Sequence, residues 1–266
     1  MAASEADRLA NKLFLNSVLP LLKVIAWDVP SLRAKFEGVD AVVQISARDG
    51  AGKVATHFVI ADGEWTVKND QVAELADVEL EFGSIPAMNA FFKGSIKPGT
   101  LPRMRGVFSH FGLFVAFMRV LLKMSSLLTA KAPPADPAMR ALMVKCFFYL
   151  LTSGISQLNK LGQEDVRAWS GPSPDRVYAL AVRDEPDVAA YIRVKAGQSR
   201  AGRGKYTRAL PFFTLEFASF EAALGILLQT DDLIEATKSK RLVMDGAPEF
   251  GAVFGSLLMA VGGYVQ

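Results

Sequence analysis

Few residues in this chain could do chemistry, and their placement argues against it. The two histidines, His57 and His110, stand at unrelated points along the sequence, and the lone cysteine, Cys146, lies in the apolar run 146–151. Three such residues complete no zinc set, and one thiol forms no intramolecular disulfide, so no metal and no cofactor is expected. His57 reads as a residue of a strand surface or core edge. His110 opens an apolar helix, where it is placed to meet a ligand head group. Glu79 and Glu81 alternate with Val78, Leu80 and Phe82, and Glu216 sits between Leu215 and Phe217. Strand geometry then sends these carboxylates to the face away from the apolar side chains, so a solvated surface is expected in preference to an acid/base pair. No Gly-x-Ser-x-Gly, phosphate loop or Gly-x-Gly-x-x-Gly after a strand is present; Gly202-Arg203-Gly204 is a fragment of a basic loop. The chain is expected to bind without catalysing.

A net charge of +3 over 266 residues is too small to hold nucleic acid by counterion release. One local cluster is basic. Between Asp187 and Glu216 fall Arg193, Lys195, Arg200, Arg203, Lys205 and Arg208 with no acid among them; the glycines there suggest a mobile loop, and the bland reading of the whole is a solvated hairpin. Arg200, Arg203, Lys205 and Arg208 are candidates for contact with anionic lipid head groups, worth about 1 kcal/mol each. Glu5 and Asp7 stand where a secretory signal needs a basic start, and no run of eighteen apolar residues occurs, so the expected location is cytoplasmic.

The surplus lies in apolar side chains, which make 51% of the sequence. Phe108, Phe111, Phe114, Val115, Phe117, Met118, Leu121 and Leu122 occupy nearly every side of one predicted helix, interrupted by Arg119 and Lys123. A second helix carries Phe250, Val253, Phe254, Leu257, Leu258 and Met259, with no charge from Phe250 to the C-terminus. A helix apolar all round must be covered on all sides, by protein or by lipid. From Phe250 onward it would span only about 26 Å and is interrupted by glycines, which argues against a membrane span. Hydrocarbon ligands gain roughly 0.8 kcal/mol per methylene removed from water, so such helices would hold an acyl chain with little polar contact. The methionines at 88, 104, 118, 124, 244 and 259 suit ligands of varied shape.

These helices belong to a pattern that occurs twice. Ser4 is a plausible N-cap for an amphipathic first helix, and Pro30 ends that region. Strands are predicted near 41–48, 54–61, 64–68 and 78–82, with Asp62-Gly63 as a tight hairpin turn. A short helix passes through Phe91 and Phe92 and stops at Gly94, and a long apolar helix follows from Gly106. With an offset of 135, residues 42–87 align without a gap on 177–222, and 12 of the 46 positions are identical. Chance would give roughly three. The second copy is expected as a helix at 138–161, three strands from Val177, a strand at 213–217, a helix at 220–229 and a last helix at 250–261. Pro133, Pro134 and Pro137 mark a linker. The expected division is 1–130, a linker at 131–137, and 138–266.

That order, with Arg241–Met244 running through Asp245-Gly246 into the apolar helix from Phe250, resembles the closing segment of the sterol carrier protein 2 (SCP2) family. Residues 214–229 and 79–94 resemble the family's strand followed by a short helix. Copy one departs from the pattern at 98–110, which leaves the strand pairing there in question. The resemblance implies an α+β fold of two repeats, each a curved, mostly antiparallel sheet with helices over one face and an apolar tunnel between. It implies non-catalytic binding and transfer of a sterol, fatty acyl or isoprenoid-type lipid. Candidate lipid contacts are Phe82, Phe91, Phe92, Phe108, Phe111, Phe114, Phe117 and Met118 in copy one. In copy two they are Phe217, Leu224, Leu228, Phe250, Phe254, Leu257 and Leu258. The alternative is an accessory subunit whose apolar helices meet a partner protein or a second copy, as in SCP2-like factors of isoprenoid quinone synthesis.

Overall fold

The computed structural model describes residues 3–265 and has an α+β architecture of two units, one running to Ser126 and taking in the C-terminal residues from Tyr264, and one spanning Leu127–Gly263. Each unit holds one five-stranded mixed sheet.

In the first unit, Ser4 and Asp7 form a reciprocal cap that starts α1 (Glu5–Leu13). A π-helical turn, Phe14–Val18, follows, and Thr56 Oγ1 donates to the Leu15 carbonyl at 2.8 Å. The amphipathic helix expected here thus contains a π turn and continues as α2 (Leu21–Asp28), and α3 (Pro30–Arg33) follows after Val29. The strands are β1 (Ala41–Asp49), β2 (Gly52–Ala61), β3 (Glu64–Lys68) and β4 (Val78–Phe82). Asp62 and Gly63 both take positive φ, as the two-residue hairpin between β2 and β3 requires. Ser84 caps α4 (Ile85–Phe92) by accepting from the Ala87 amide. The questioned segment does pair: β5 (Arg103–Arg105) runs antiparallel to β4. The long helix then starts later than Gly106, as α5 (Phe111–Leu128), because Gly106 adopts a left-handed turn.

The second unit repeats the order. It contains α6 (Pro137–Lys160), capped by Asp136, and α7 (Glu164–Ser170). There follow β6 (Arg176–Val182), β7 (Glu185–Lys195), β8 (Gln198–Arg203), β9 (Phe213–Phe217), α8 (Phe220–Leu227), α9 (Leu233–Lys238), β10 (Leu242–Asp245) and α10 (Pro248–Val265).

The two sheets read β3-β2-β1-β4-β5 and β8-β7-β6-β9-β10. In each, the only parallel pair is central and in the same register: Val43 opposes Val78 and Ile45 opposes Leu80, while Tyr178 opposes Phe213 and Leu180 opposes Leu215. Equivalent details recur at the offset of 135. The Asp77 amide donates to the Val42 carbonyl at 2.8 Å, and the Phe212 amide to the Val177 carbonyl at 2.8 Å. In the hairpin the units differ by a bulge between Ala181 and Val182, which shifts β7 by one residue relative to β2.

One face of each sheet is apolar and carries the core. Val43, Ile45, Phe58, Val78, Leu80 and Phe82 are buried there in unit 1, and Tyr178, Leu180, Ile192, Phe213, Leu215 and Phe217 in unit 2. Side-chain alternation leaves the residues between them on the opposite face.

Candidate functional site

The helices of unit 1 meet the apolar face through aromatic rings. Phe82 is fully buried, with centroids 5.2 Å from Phe91 and 5.9 Å from Phe92, and Phe14 stacks on Phe92 at 5.5 Å. From α5, Phe117 packs 5.7 Å from Phe58 and 6.0 Å from Trp65. Phe114 and Met118 are half-buried, while Phe108 and Phe111 are exposed. The structure therefore brings Phe82, Phe91 and Phe92 together, places Phe117 in a separate ring cluster, and leaves Phe108 and Phe111 outside both.

In unit 2, Phe254 of α10 lies 5.3 Å from Tyr178, and Phe217 lies 5.7 Å from Phe148. Phe250 meets Phe212 edge-on at 4.8 Å, and the Arg176 guanidinium lies over both rings. Leu224 and Leu257 are buried, and Leu228 and Leu258 half-buried. Phe14, Phe58, Trp65, Phe148, Tyr178 and Phe213 complete these clusters and were not among the candidates. Their apolar positions on the predicted strands and first helices of each copy were the available signal. A cleft of about 280 Å³ opens between α9 and β10, lined by Leu233, Ile234, Thr237, Lys238 and Met244. None of the candidate phenylalanines or leucines lines it.

The opposite face of the unit 1 sheet corrects the expectation for Glu79 and Glu81. Both are buried, at 7% and 4% exposure. Strand alternation does place them away from Leu80, but the parallel register sets them against Gln44 and Ser46 of β1. Glu79 Oε1 accepts from Gln44 Nε2 at 2.7 Å, Ser46 Oγ at 2.6 Å and Lys53 Nζ at 2.7 Å. Burial alone would raise the Glu79 pKa, but the hydrogen bonds from Lys53, Ser46 and Gln44 outweigh it and hold the carboxyl below its ordinary range. Glu81 Oε1 accepts from Arg48 Nε at 2.7 Å, and its Oε2 lies 2.7 Å from Arg105 Nη2. Its pKa is also lowered, first by the Arg48 hydrogen bond, against the opposing effect of burial. Glu216, in contrast, is half-exposed and accepts from Arg183 Nε at 3.0 Å. Carboxylates held ionised between cations are poor proton donors at neutral pH.

The glycine-containing basic stretch is a hairpin, the bland reading of that run of cations, and not a mobile loop. Residues 198–203 form the regular strand β8, with Arg200 opposite Arg193 on β7. Gly202 is required there because a Cβ would collide with the Tyr191 ring. Arg203 lies 5.0 Å from the Tyr149 ring centroid; Arg200, Lys205 and Arg208 are exposed. His57 is buried with Nδ1 2.8 Å from the Gln71 carbonyl oxygen, and His110 Nε2 lies 3.5 Å from Asp77 Oδ1. Cys146 is buried in α6. Among the described residues, no three histidine, cysteine or carboxylate side chains gather to hold a metal ion.

Four helical stretches are long and apolar enough to cross a membrane by length and composition: Glu5–Asp28, Phe111–Leu128, Pro137–Lys160 and Pro248–Val265. The first and third are mostly buried inside their units. Only 33% of the α5 window and 22% of the α10 window is buried.

No family model matches the chain, and no curated protein matches it. Among solved structures it is similar to a conserved hypothetical protein from Thermus thermophilus described as "possibly sterol carrier protein". That likeness has a TM-score of 0.27 and 14% identity, and covers 51% of this chain and 97% of the other. It is also similar to the stereoselective inverting sec-alkylsulfatase Pisa1 from Pseudomonas sp., with a TM-score of 0.26 and 13% identity over 65% of this chain and 30% of that one.

Proposed function

We propose that this protein is a tandem of two SCP2-like units that binds a hydrophobic lipid, of sterol, fatty acyl or isoprenoid type, and carries or presents it without covalent chemistry. The observation that carries the reading is the state of α5 and α10. Each closes its unit, each is as apolar as a membrane span, and each buries only 33% or 22% of its apolar window. Apolar surface left in water is unfavourable by about 25 cal/mol per Å², so a helix of this kind calls for a cover, and a hydrocarbon chain supplies one. The phenylalanines at the inner edge of each helix, Phe114 and Phe250, are half-buried and reachable by a ligand that lifts the helix.

Organic-solvent extraction of the purified protein followed by mass spectrometry tests this. The expected result is an enriched lipid, displaced by fluorescent fatty acids or sterols. No enriched lipid and no binding of either probe would overturn it. Mutual ring contact among Phe82, Phe91, Phe92 and Phe14 favours a second reading, in which the interior is already filled and the uncovered helices meet a partner protein. That reading requires a stoichiometric protein in place of lipid after purification.

A further inference from the structure

The long segment that contains α5 has a charge pattern different from the rest of the chain. From Phe82 to Ala135 there is no aspartate or glutamate, while Lys93, Lys97, Arg103, Arg105, Arg119, Lys123 and Lys131 are all present. The same segment exposes large apolar side chains: Ile96 at 68%, Leu101 at 50%, Met104 at 55%, Phe108 at 102%, Phe111 at 63% and Leu122 at 62%. Cations and exposed hydrophobics are thus interleaved along one continuous stretch, most of it in the connection between α4 and α5.

The geometry of α5 narrows what can cover this stretch. Ala116, Phe117, Val120, Leu121 and Met124 are buried and recur at helical spacing, so one face of α5 is covered, with Phe117 packed against Phe58 and Trp65. Phe111, Arg119 and Leu122 are exposed on the remaining surface. A helix held by one face, with apolar and basic side chains on the other, has the form of an element lying in a membrane interface. The long stems of Lys97 and Arg119 let their charges reach phosphates while Phe108 and Phe111 enter the acyl boundary.

We infer that unit 1 docks on the surface of an anionic lipid bilayer through the segment from Lys93 to Lys123. A second copy of the chain is a poor occupant, because an isologous contact would set these cations against their own images with no carboxylate in the segment to meet them. The β8 region is basic too, but between Asp187 and Glu216 its exposed large hydrophobic side chains are Leu210 and Phe212 alone, both beyond its last cation, and they are not interleaved with the cations. The inference goes beyond the proposed cargo, since it concerns the bilayer surface and needs no bound ligand.

Flotation of the full chain with vesicles of phosphatidylcholine alone, and of phosphatidylcholine mixed with phosphatidylglycerol, tests it. Partitioning should be at least about 25-fold stronger on the anionic vesicles and should fall with added salt. F108S/F111S and K97E/R119E should each weaken it by about tenfold or more, since each cation near the surface contributes about fivefold. These side chains are exposed, so melting temperatures should stay unchanged; if F108S/F111S lowers its melting temperature, K97E/R119E alone decides. Equal partitioning on neutral and anionic vesicles would overturn the inference. So would loss of binding in R200E/K205E/R208E but not in K97E/R119E, or a dimer in solution that F108S/F111S dissociates.

Discussion

The outward faces of the two sheets differ far more than their inward faces do. On the inward side, Val43, Ile45, Val78, Leu80 and Phe82 face the same way as Tyr178, Leu180, Phe213, Leu215 and Phe217, in the same parallel register, and all are buried. On the outward side, Gln44, Ser46 and Glu79 of unit 1 become Ala179, Ala181 and Thr214 of unit 2. The network around Glu79 thus has no counterpart. Only the pair Arg48–Glu81 survives, as Arg183–Glu216, at 2.7 and 3.0 Å. Packing constrains the inward face because each side chain must fit the helices above it. A sheet's other face needs only satisfied polar groups or small apolar ones, so it is free to diverge.

If the inward faces are equivalent core, deleting a ring from either should cost alike. Phe117→Ala and Phe254→Ala, at fully buried positions, should each destabilise their own unit by about 3–5 kcal/mol, read by denaturant melts with hydrogen exchange to locate the change. A cost below about 1 kcal/mol at either site would mean that the ring borders a void or ligand space. The turn glycines sharpen the same comparison. Both follow the edge strand next to the central pair and take positive φ. A Cβ at Gly106 would run into the Asp77 carbonyl oxygen, whereas at Gly246 it would meet the Phe213 ring at 2.7 Å and the Phe212 carbonyl oxygen at 3.1 Å. Gly106→Ala should therefore cost about 3 kcal/mol, more than Gly246→Ala, where the added methyl meets its neighbours at longer range.

Much of this architecture was legible in the residues. Alternation at Val78–Phe82 and at Phe213–Phe217 located two strands to the residue, and Asp62-Gly63 located a hairpin. What was not legible depends on distant contacts. Alternation shows which side chains share a face but not what covers it, so the burial of Glu79 under Gln44, Ser46 and Lys53 was invisible. The glycines near Arg203 read as a loop because sequence does not distinguish a glycine that supplies flexibility from one that makes room for Tyr191. The candidate phenylalanines of α5 were visible as an apolar set. Their partition into buried Phe117 and exposed Phe108 and Phe111 required knowing where the helix begins.

The outward faces should separate under acid. The folded-state pKa of Glu79 lies below its ordinary value of 4.5, so the stabilisation it provides is complete above that value and is lost as pH falls through the lowered one. Hydrogen exchange should then show β4 losing protection below about pH 4.5. The corresponding strand β9, with Thr214 in that place, should lack this contribution. Glu79→Gln should cost about 2 kcal/mol at neutral pH and flatten the acid dependence of β4, while Thr214→Val should change stability by less than about 0.5 kcal/mol. An acid response that is the same in both strands would remove the distinction between the faces.

The smallest effect is the most discriminating, because it compares one ion pair in two settings. The Glu81 side chain is 4% exposed and Glu216 is 37% exposed, while their arginine partners, Arg48 and Arg183, are similarly open at 54% and 46%. In unit 2 water screens the pair, and a double-mutant cycle over Arg183 and Glu216 should return a coupling below about 0.5 kcal/mol. In unit 1 the carboxylate has lost most of its solvent and retains Arg105 as a second cation, so the Arg48–Glu81 cycle should return about 1 kcal/mol or more. Part of that coupling should disappear in an Arg105→Ala background, since removing the second cation changes the carboxylate's charge balance and opens it to water. Equal couplings in the two units would mean that the arginine–glutamate contact common to both, and not the network around it in unit 1, sets the strength of the pair.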